Sequence, residues 1–386
     1  MSVIGLVIAV IGLAAWAYLL VGRGFFWLAR EVDDADEPAE PAQWPAVTAV
    51  VPARNEADVI ARSIGSLLAQ DYPGDFKVVL VDDASDDGTG ERALAAAETL
   101  GARDRLTVIK GEALAAGWTG KLWAVSQGVQ AADVASPTWL LITDADIAHS
   151  PDNLRRLIAR GEAGRLAMVS LMARLSTATW AERLMIPAFV FFFDMLYPFG
   201  WVNDARRKTA AAAGGCMLVR REALAAAGGI AAIRGEIIDD CALGARLKAQ
   251  GPIWLGLTER AVSLRPYPSF GEIGRMISRS AYAQLGYSPL MLAGTLAGMV
   301  LVYLDPPLLT AFAGGWPRWI GLATWTAMAV AFQPMLSFYR RSPLWGFALP
   351  LIGAIYAAFT LVSAVQVWRG RGGMWKGRAQ AKAASQ

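Results

Sequence analysis

Residues Val3 to Gly22 carry no charged side chain, over a length sufficient to cross a bilayer. Three further apolar blocks lie at 289–312, 316–338 and 343–367. Between these extremes, over 44–270, charges and turn residues return to globular density. A chain that is 55% hydrophobic and 18% charged is too apolar for an ordinary soluble enzyme. Its excess is not spread evenly, which suits a membrane-anchored, enzyme-sized domain rather than a channel. The expected organisation is an anchor at 1–30, an acidic Pro-containing linker at 31–43 and an enzyme-sized domain at 44–280. An apolar C-terminal region at 281–368 and a basic tail at 369–386 follow.

A cleaved signal peptide would have a basic n-region and a shorter apolar core, so an anchor is the better reading of the first segment. Arg23 and Arg30 follow it, which by the positive-inside rule places the next domain in the cytoplasm. The two cysteines, Cys216 and Cys241, indicate no disulfide framework and suit a reducing compartment. A single histidine, His149, excludes His-rich zinc chemistry. The net charge of +3 is carried partly by Arg369, Arg371, Lys376, Arg378 and Lys382. That cluster suits anionic lipid headgroups better than nucleic acid.

Strands are expected at 46–51, 77–81, 106–109, 139–143 and 166–171, with Ala-rich helices at 57–70, 90–100 and 122–131. Alternating strands and helices indicate an α/β fold, a mostly parallel sheet covered on both faces. Ligands of such sheets bind at the carboxyl ends of the strands. The run Trp139 to Thr143 ends in Asp144-Ala145-Asp146. Strand side chains alternate faces, so Asp144 and Asp146 project together. Two hard carboxylates there suit Mg²⁺ or Mn²⁺ carrying a diphosphate. A turn and helix N-cap before Ser150-Pro151-Asp152 is the bland alternative.

Other strand ends carry similar chemistry. The first runs into Pro52-Ala53-Arg54-Asn55-Glu56, where Asn55 or Glu56 would begin a helix and Arg54 would offer a fork for phosphate. A plain strand-to-helix turn explains this motif equally well. The second ends at Asp82-Asp83, then Asp86-Asp87-Gly88. Asp86 or Asp87 is turn and cap chemistry, whereas Asp82 and Asp83 could accept hydrogen bonds from a base or ribose. Gly117-Trp118-Thr119-Gly120-Lys121 opens a helix and presents Lys121 to a diphosphate, although its glycine spacing is not that of a P-loop. The pair Asp239-Asp240 precedes a helix at 241–250. One of the two would cap it, and the other would be available as a general base.

Taken together, VVPARNEA at 50–57, VVLVDDASDDGT at 78–89, GKLWAVSQG at 120–128, ITDAD at 142–146 and EIIDDCALGARLKAQG at 236–251 resemble a family-2 glycosyltransferase with a GT-A fold. The motifs occur in the family's order across most of 46–280. With apolar ends, the chain is most similar to the hopanoid-biosynthesis-associated membrane glycosyltransferases of bacteria, and more distantly to ceramide glucosyltransferases. The resemblance implies a multi-pass protein of the bacterial inner membrane, with its catalytic domain in the cytoplasm. It implies an inverting transfer from a nucleotide-diphosphate sugar, a UDP-sugar above all, to a lipid acceptor, with Mg²⁺ or Mn²⁺ as cofactor. Carried over by position, Asp82 and Asp83 hold uracil and ribose, and Asp144 and Asp146 form the DXD motif, Asp146 being the direct metal ligand. Asp240 is the base. Pro52, Arg54, Glu56, Lys121 and Asp239 line the donor site. The family's Q/R-x-x-R-W pattern is reduced here to Arg279, kept as a diphosphate contact. The missing Gln and Trp argue against a processive polysaccharide synthase.

The segment 184–202 is apolar enough to cross a membrane, yet it separates Asp146 from Asp240, which must share a site. It is therefore expected to be interfacial or re-entrant, with a buried core helix as the alternative. Arg340-Arg341 and the basic tail both favour the cytoplasm, so one of the C-terminal blocks, such as 289–304, would not cross fully. A nucleotide-binding scaffold without turnover, and a transferase acting on polyprenyl phosphate, are the competing functions.

Overall fold

The computed structural model describes residues 3–370 and 372, and the backbone of 374–375 and 378–379. The tail residues Arg371, Lys376 and Lys382 lie outside the described residues. The chain forms two compact units: one holds Glu31–Ser176 and Trp201–Pro266, the other the first 30 residues, Thr177–Gly200 and Tyr267–Gly372.

The first unit is built on an eight-stranded sheet: β1 (Val47–Ala53), β2 (Phe76–Asp82), β3 (Leu106–Lys110), β4 (Trp139–Thr143), β5 (Ile147–His149), β6 (Met168–Arg174), β7 (Cys216–Arg220) and β8 (Ile253–Ser263), in the order β3-β2-β1-β4-β7-β6-β8-β5. The four strands β3, β2, β1 and β4 are mutually parallel. Beyond β4 the sheet turns mixed, since β7 runs antiparallel to both β4 and β6, and β5 antiparallel to β8. Sequence pattern locates the parallel half well. The strands it misses are β5, β7 and β8, which interrupt the strand-helix alternation on which that reading rests.

Alternation along each strand divides the core. Val78 and Leu80 of β2 join Ile60, Ile64, Leu67, Leu154 and Ile158 on one face, while Val79 and Val81 meet Ala124 on the other. Helices thus cover both faces. The helix Gly120–Asp133 lies close to the sheet because residue 128 is glycine: a Cβ there would stand 2.4 Å from Val50 Cγ1.

The acidic tract expected to be a linker is docked over its first part. Glu31 and Asp33 pair with the backbone of Leu257 through bonds of 2.7 and 2.9 Å. Arg260 holds Asp33, Asp34 and Asp152, and Arg156 and Arg160 grip the carbonyls of Asp33 and Asp36. Arginines on the helix Asn153–Ala163 supply partners that periodicity along the tract itself does not reveal.

The second unit is helical. Three of its helices, Val3–Gly22, Pro289–Phe312 and Pro343–Trp368, are long and apolar enough to cross a membrane. Trp16 donates to the carbonyl of Val302 at 2.9 Å. The segment 184–202 begins within the helix Trp180–Leu196, which starts in a capping box between Thr179 and Glu182. Its Leu184, Met185, Ile186, Val190 and Phe191 are buried, and Phe191 packs on Phe26 and Phe332.

Candidate active site

The site is assembled where β1, β2 and β4 end and where the helix Asp239–Lys248 begins. At its centre is Lys121, on the first turn of Gly120–Asp133, whose N-cap Thr119 accepts from the N–H of Leu122. Its ammonium lies 2.9 Å from Asp144 Oδ1 and 3.2 Å from Asp239 Oδ2. Burial disfavours the charge on Lys121, but the Asp144 and Asp239 carboxylates outweigh it and hold the ammonium protonated well above its ordinary range. Asp144 is pushed above the usual carboxylate range by burial, which Lys121 opposes and Asp146 reinforces. Two predicted motifs, GKLW and the DXD pair, therefore meet, with Lys121 paired to carboxylates.

The helix Asp239–Lys248 reaches this cluster because residue 244 is glycine: a Cβ there would lie 2.9 Å from the backbone carbon of Ala211. Neither expected capping aspartate caps it, since Ile238 takes the N-cap position and both acids lie in the first turn. There the positive end of the helix favours carboxylates. Asp240 accepts from the N–H of Cys241 at 2.8 Å and from that of Gly214 at 3.1 Å. Burial, and then repulsion from Asp239, raise its pKa to about 6, against the pull of Lys121 and both amides. A group poised there is deprotonated at neutral pH and still a competent base.

The first acidic strand end is organised differently. Arg54 donates to the carbonyl of Asp83 at 2.5 Å and lies 3.9 Å from its carboxylate. Asp83 is fully buried, whereas Asp82 is half-buried and accepts from the N–H of Ser85 at 2.9 Å. Of the pair, Asp82 has the open surface. Asp87 accepts from the N–H groups of Ala57 and Thr89, both at 3.0 Å, the expected turn chemistry. Pro52 lies inside β1, which pairs with β2 through Ala53 but with β4 only through Val50. Asn55 and Glu56 do not begin the following helix, which starts at Ile60. Asn55 instead adopts a left-handed conformation (φ 51°) that turns the chain across the strand ends.

That turn delivers Glu56 to Arg265, a residue sequence reasoning overlooks. Arg265 Nη2 lies 2.6 and 2.8 Å from the two Glu56 oxygens, and Nε donates to Asp146 Oδ2 at 2.8 Å. Its place follows from register: β5 pairs antiparallel with β8, and the N–H of Leu264 continues the pairing to the carbonyl of Asp146. The sole local signal is an arginine before Pro266. Arg279 belongs to the helical unit, exposed at the end of the helix Phe270–Ser278. His149 is buried between Thr143 and Asn153, and burial lowers its pKa to about 4. It is a neutral structural residue. Cys216 and Cys241 are both buried thiols.

Among the described residues no three His, Cys, Asp or Glu side chains close into a metal-holding group. Asp144 and Asp146 still fit a hard cation, because Mg²⁺ or Mn²⁺ needs only one or two carboxylates when phosphates and water complete its shell. Asp239 and Asp240 add to an acidic array that Lys121 and Arg265 do not fully neutralise.

Comparison with known proteins bears on the family and the fold. The model of "Glycosyl transferase family 2" matches residues 48–228, and that of "Glycosyl transferase family group 2" matches 139–362, more than half of the chain. Succinoglycan biosynthesis protein ExoO of Rhizobium meliloti (strain 1021) is 35% identical over 159 residues, 38% of this chain and 42% of that protein. The match thus spans less than half of this relative. The mannosyltransferase PcManGT from Pyrobaculum calidifontis, solved in complex with GDP-Man and Mn²⁺, has a TM-score of 0.56 at 21% identity, covering 94% of this chain and 99% of that one. Glucosyl-3-phosphoglycerate synthase from Mycobacterium tuberculosis, solved with Mn²⁺, UDP and glucosyl-3-phosphoglycerate, has a TM-score of 0.41 at 20% identity, covering 63% and 79%. With the family matched over most of its length and the sheet built as above, the chain belongs to the family-2 glycosyltransferases and has a GT-A-type fold.

Proposed function

We propose that the chain is a membrane-bound, inverting glycosyltransferase that moves a sugar from a nucleotide-diphosphate donor, a UDP-sugar in the first instance, to the hydroxyl of a lipid, with hopanoids the acceptor class its sequence resemblance favours. The observation that carries this reading is the position of Asp240. Its carboxylate is fixed by two backbone N–H groups and lies beside the Lys121–Asp239–Asp144 array. One end of the array thus offers a base, and the other a pair of hard ligands.

Transfer is then a single displacement. The acceptor hydroxyl oxygen attacks the anomeric carbon as Asp240 takes its proton, and the bond from that carbon to the diphosphate oxygen breaks with inversion. Asp144 and Asp146 would hold Mg²⁺ or Mn²⁺, which when bound neutralises the charge of the departing diphosphate. Asp82 is the candidate contact to the nucleoside, with Asp83 and Arg54 stiffening the strand end behind it. Pro52 and Glu56 shape the same rim. The lipid acceptor is supported by the three long apolar helices, which leave Val3, Ile4, Leu290, Leu308 and Phe312 exposed. Arg23 and Arg30 support a catalytic domain on the cytoplasmic side, and the sequence resemblance supports a bacterial inner membrane.

The test is transfer from labelled UDP- and GDP-sugars into a lipid extract containing hopanoids, with Mn²⁺, Mg²⁺ or EDTA. A labelled lipid made by the wild type with metal, and not by Asp240→Asn, is the expected result. An acid-labile product would move the acceptor to a polyprenyl phosphate. Metal-dependent nucleotide binding with no product from any donor would favour the scaffold reading.

A further inference from the structure

Arg265 joins three stretches that are far apart in sequence. It stands just past β8, Glu56 lies in the turn after β1, and Asp146 lies between β4 and β5. Its guanidinium covers both Glu56 oxygens and one oxygen of Asp146, and the side chains of Glu56 and Asp146 retain only 11% and 14% of their exposure. One edge of the planar guanidinium thus serves two carboxylates at once, Nη2 to Glu56 and Nε to Asp146, a geometry that lysine does not reproduce. Lys121 forms the corresponding pair with Asp144. The two carboxylates suited to a cation are therefore each neutralised by a positive side chain of the chain itself.

Like charges close together in a partly desolvated site repel strongly. A divalent cation placed on Asp146 must take up a carboxylate oxygen against the field of Arg265. A diphosphate changes that balance, because its negative charge attracts the cation and the guanidinium alike.

We propose that Arg265 is a positioning residue that competes with a divalent cation for Asp146, and so makes tight cation binding conditional on the nucleotide diphosphate. Glu56 is its second anchor, holding the guanidinium near the site when Asp146 is surrendered. The inference rests on the reading of Asp144 and Asp146 as the cation pair. It goes beyond that reading by giving a defined role to a residue outside the recognised motifs. By linkage, the factor by which the nucleotide strengthens the cation is the factor by which the cation strengthens the nucleotide.

The test is Mn²⁺ affinity, read from the free-ion electron paramagnetic resonance signal, on the full chain in detergent. It is measured with no nucleotide, with UDP and, in parallel, with GDP. The wild type is expected to bind Mn²⁺ weakly alone and at least about tenfold more tightly with one diphosphate. Arg265→Gln should bind Mn²⁺ alone about tenfold more tightly than wild type and lose most of the enhancement by nucleotide. Arg265→Lys, which keeps the charge but not the fork, should fall between wild type and Arg265→Gln for Mn²⁺ alone. Unchanged or weaker binding of Mn²⁺ alone by Arg265→Gln overturns the proposal and leaves Arg265 a scaffold residue. Should that variant not fold, Glu56→Gln decides: a guanidinium left wholly on Asp146 should weaken Mn²⁺ alone, and unchanged affinity overturns the idea. Asp146→Asn separates the two levels. If it binds Mn²⁺ as the wild type does, the cation reading fails and this inference with it. If it loses Mn²⁺ while Arg265→Gln matches wild type, only the inference fails.

Discussion

Asp240 and Lys121 show how single groups in this site are set by their neighbours. The Asp240 pKa is raised to about 6, so the carboxylate is a base above that pH and is lost as one below it. Transfer is expected to fall reversibly, about tenfold per pH unit, below about pH 6. Folding has the opposite sign at this group. A carboxyl whose folded pKa lies above its unfolded value binds protons more readily in the folded state, so its contribution to stability is present at low pH and lost as pH rises through about 6. Loss of activity near pH 5.5 without a lower melting temperature from this group would identify the titration; unfolding over the same range would refute it. Lys121→Met should leave Asp144 and Asp239 facing each other without their cation. A destabilisation of about 1–3 kcal/mol is expected, below the range for fully buried pairs because Asp144 is one-third exposed. Thermal unfolding checks this. The deficit should shrink on acidification, because protonation of Asp144, whose pKa is raised in the fold, removes the repulsion.

At the scale of the element, the site depends on how closely two helices approach their neighbours. The Asp239–Lys248 helix passes over Ala211 and Ala212 at a distance only glycine permits. Gly244→Val should push the helix outward and displace Asp240 from the Gly214 N–H. The expected result is a transfer rate down about a hundredfold, since small misplacements of a catalytic group carry losses of that order, with nucleotide binding kept and roughly 1–3 kcal/mol lost from overpacking. Equal loss of nucleotide binding would show that the whole site had collapsed. The docked acidic tract gives a second test. Arg260 serves Asp33, Asp34 and Asp152 at once, and Asp33 is buried. Arg260→Ala should lower the melting temperature by roughly 2–4 °C or more and expose residues 31–36 to protease; an unchanged digestion pattern would contradict the clamp.

Three long apolar helices give the whole chain a testable property. Val3–Gly22, Pro289–Phe312 and Pro343–Trp368 are each long enough to cross. The chain should stay with membranes through alkaline carbonate extraction, and release into the supernatant would rule out spanning. Periodicity, turn chemistry and motif spacing specify the α/β class, the parallel strands β1 to β4, the apolar ends and the candidate acids at the strand ends. These features are local: alternation, an aspartate pair after a strand and a charge-free run can each be read within about twenty residues. Which charge neutralises which is visible only in the folded chain. Lys121 meets Asp144 and Asp239 from separate stretches. Arg265 reaches Glu56 and Asp146 through the antiparallel β5–β8 register, and the acidic tract docks on arginines more than a hundred residues away. Pairing of charges depends on distance in space, and distance in space is set by sheet order and register, which no local pattern in a single sequence encodes.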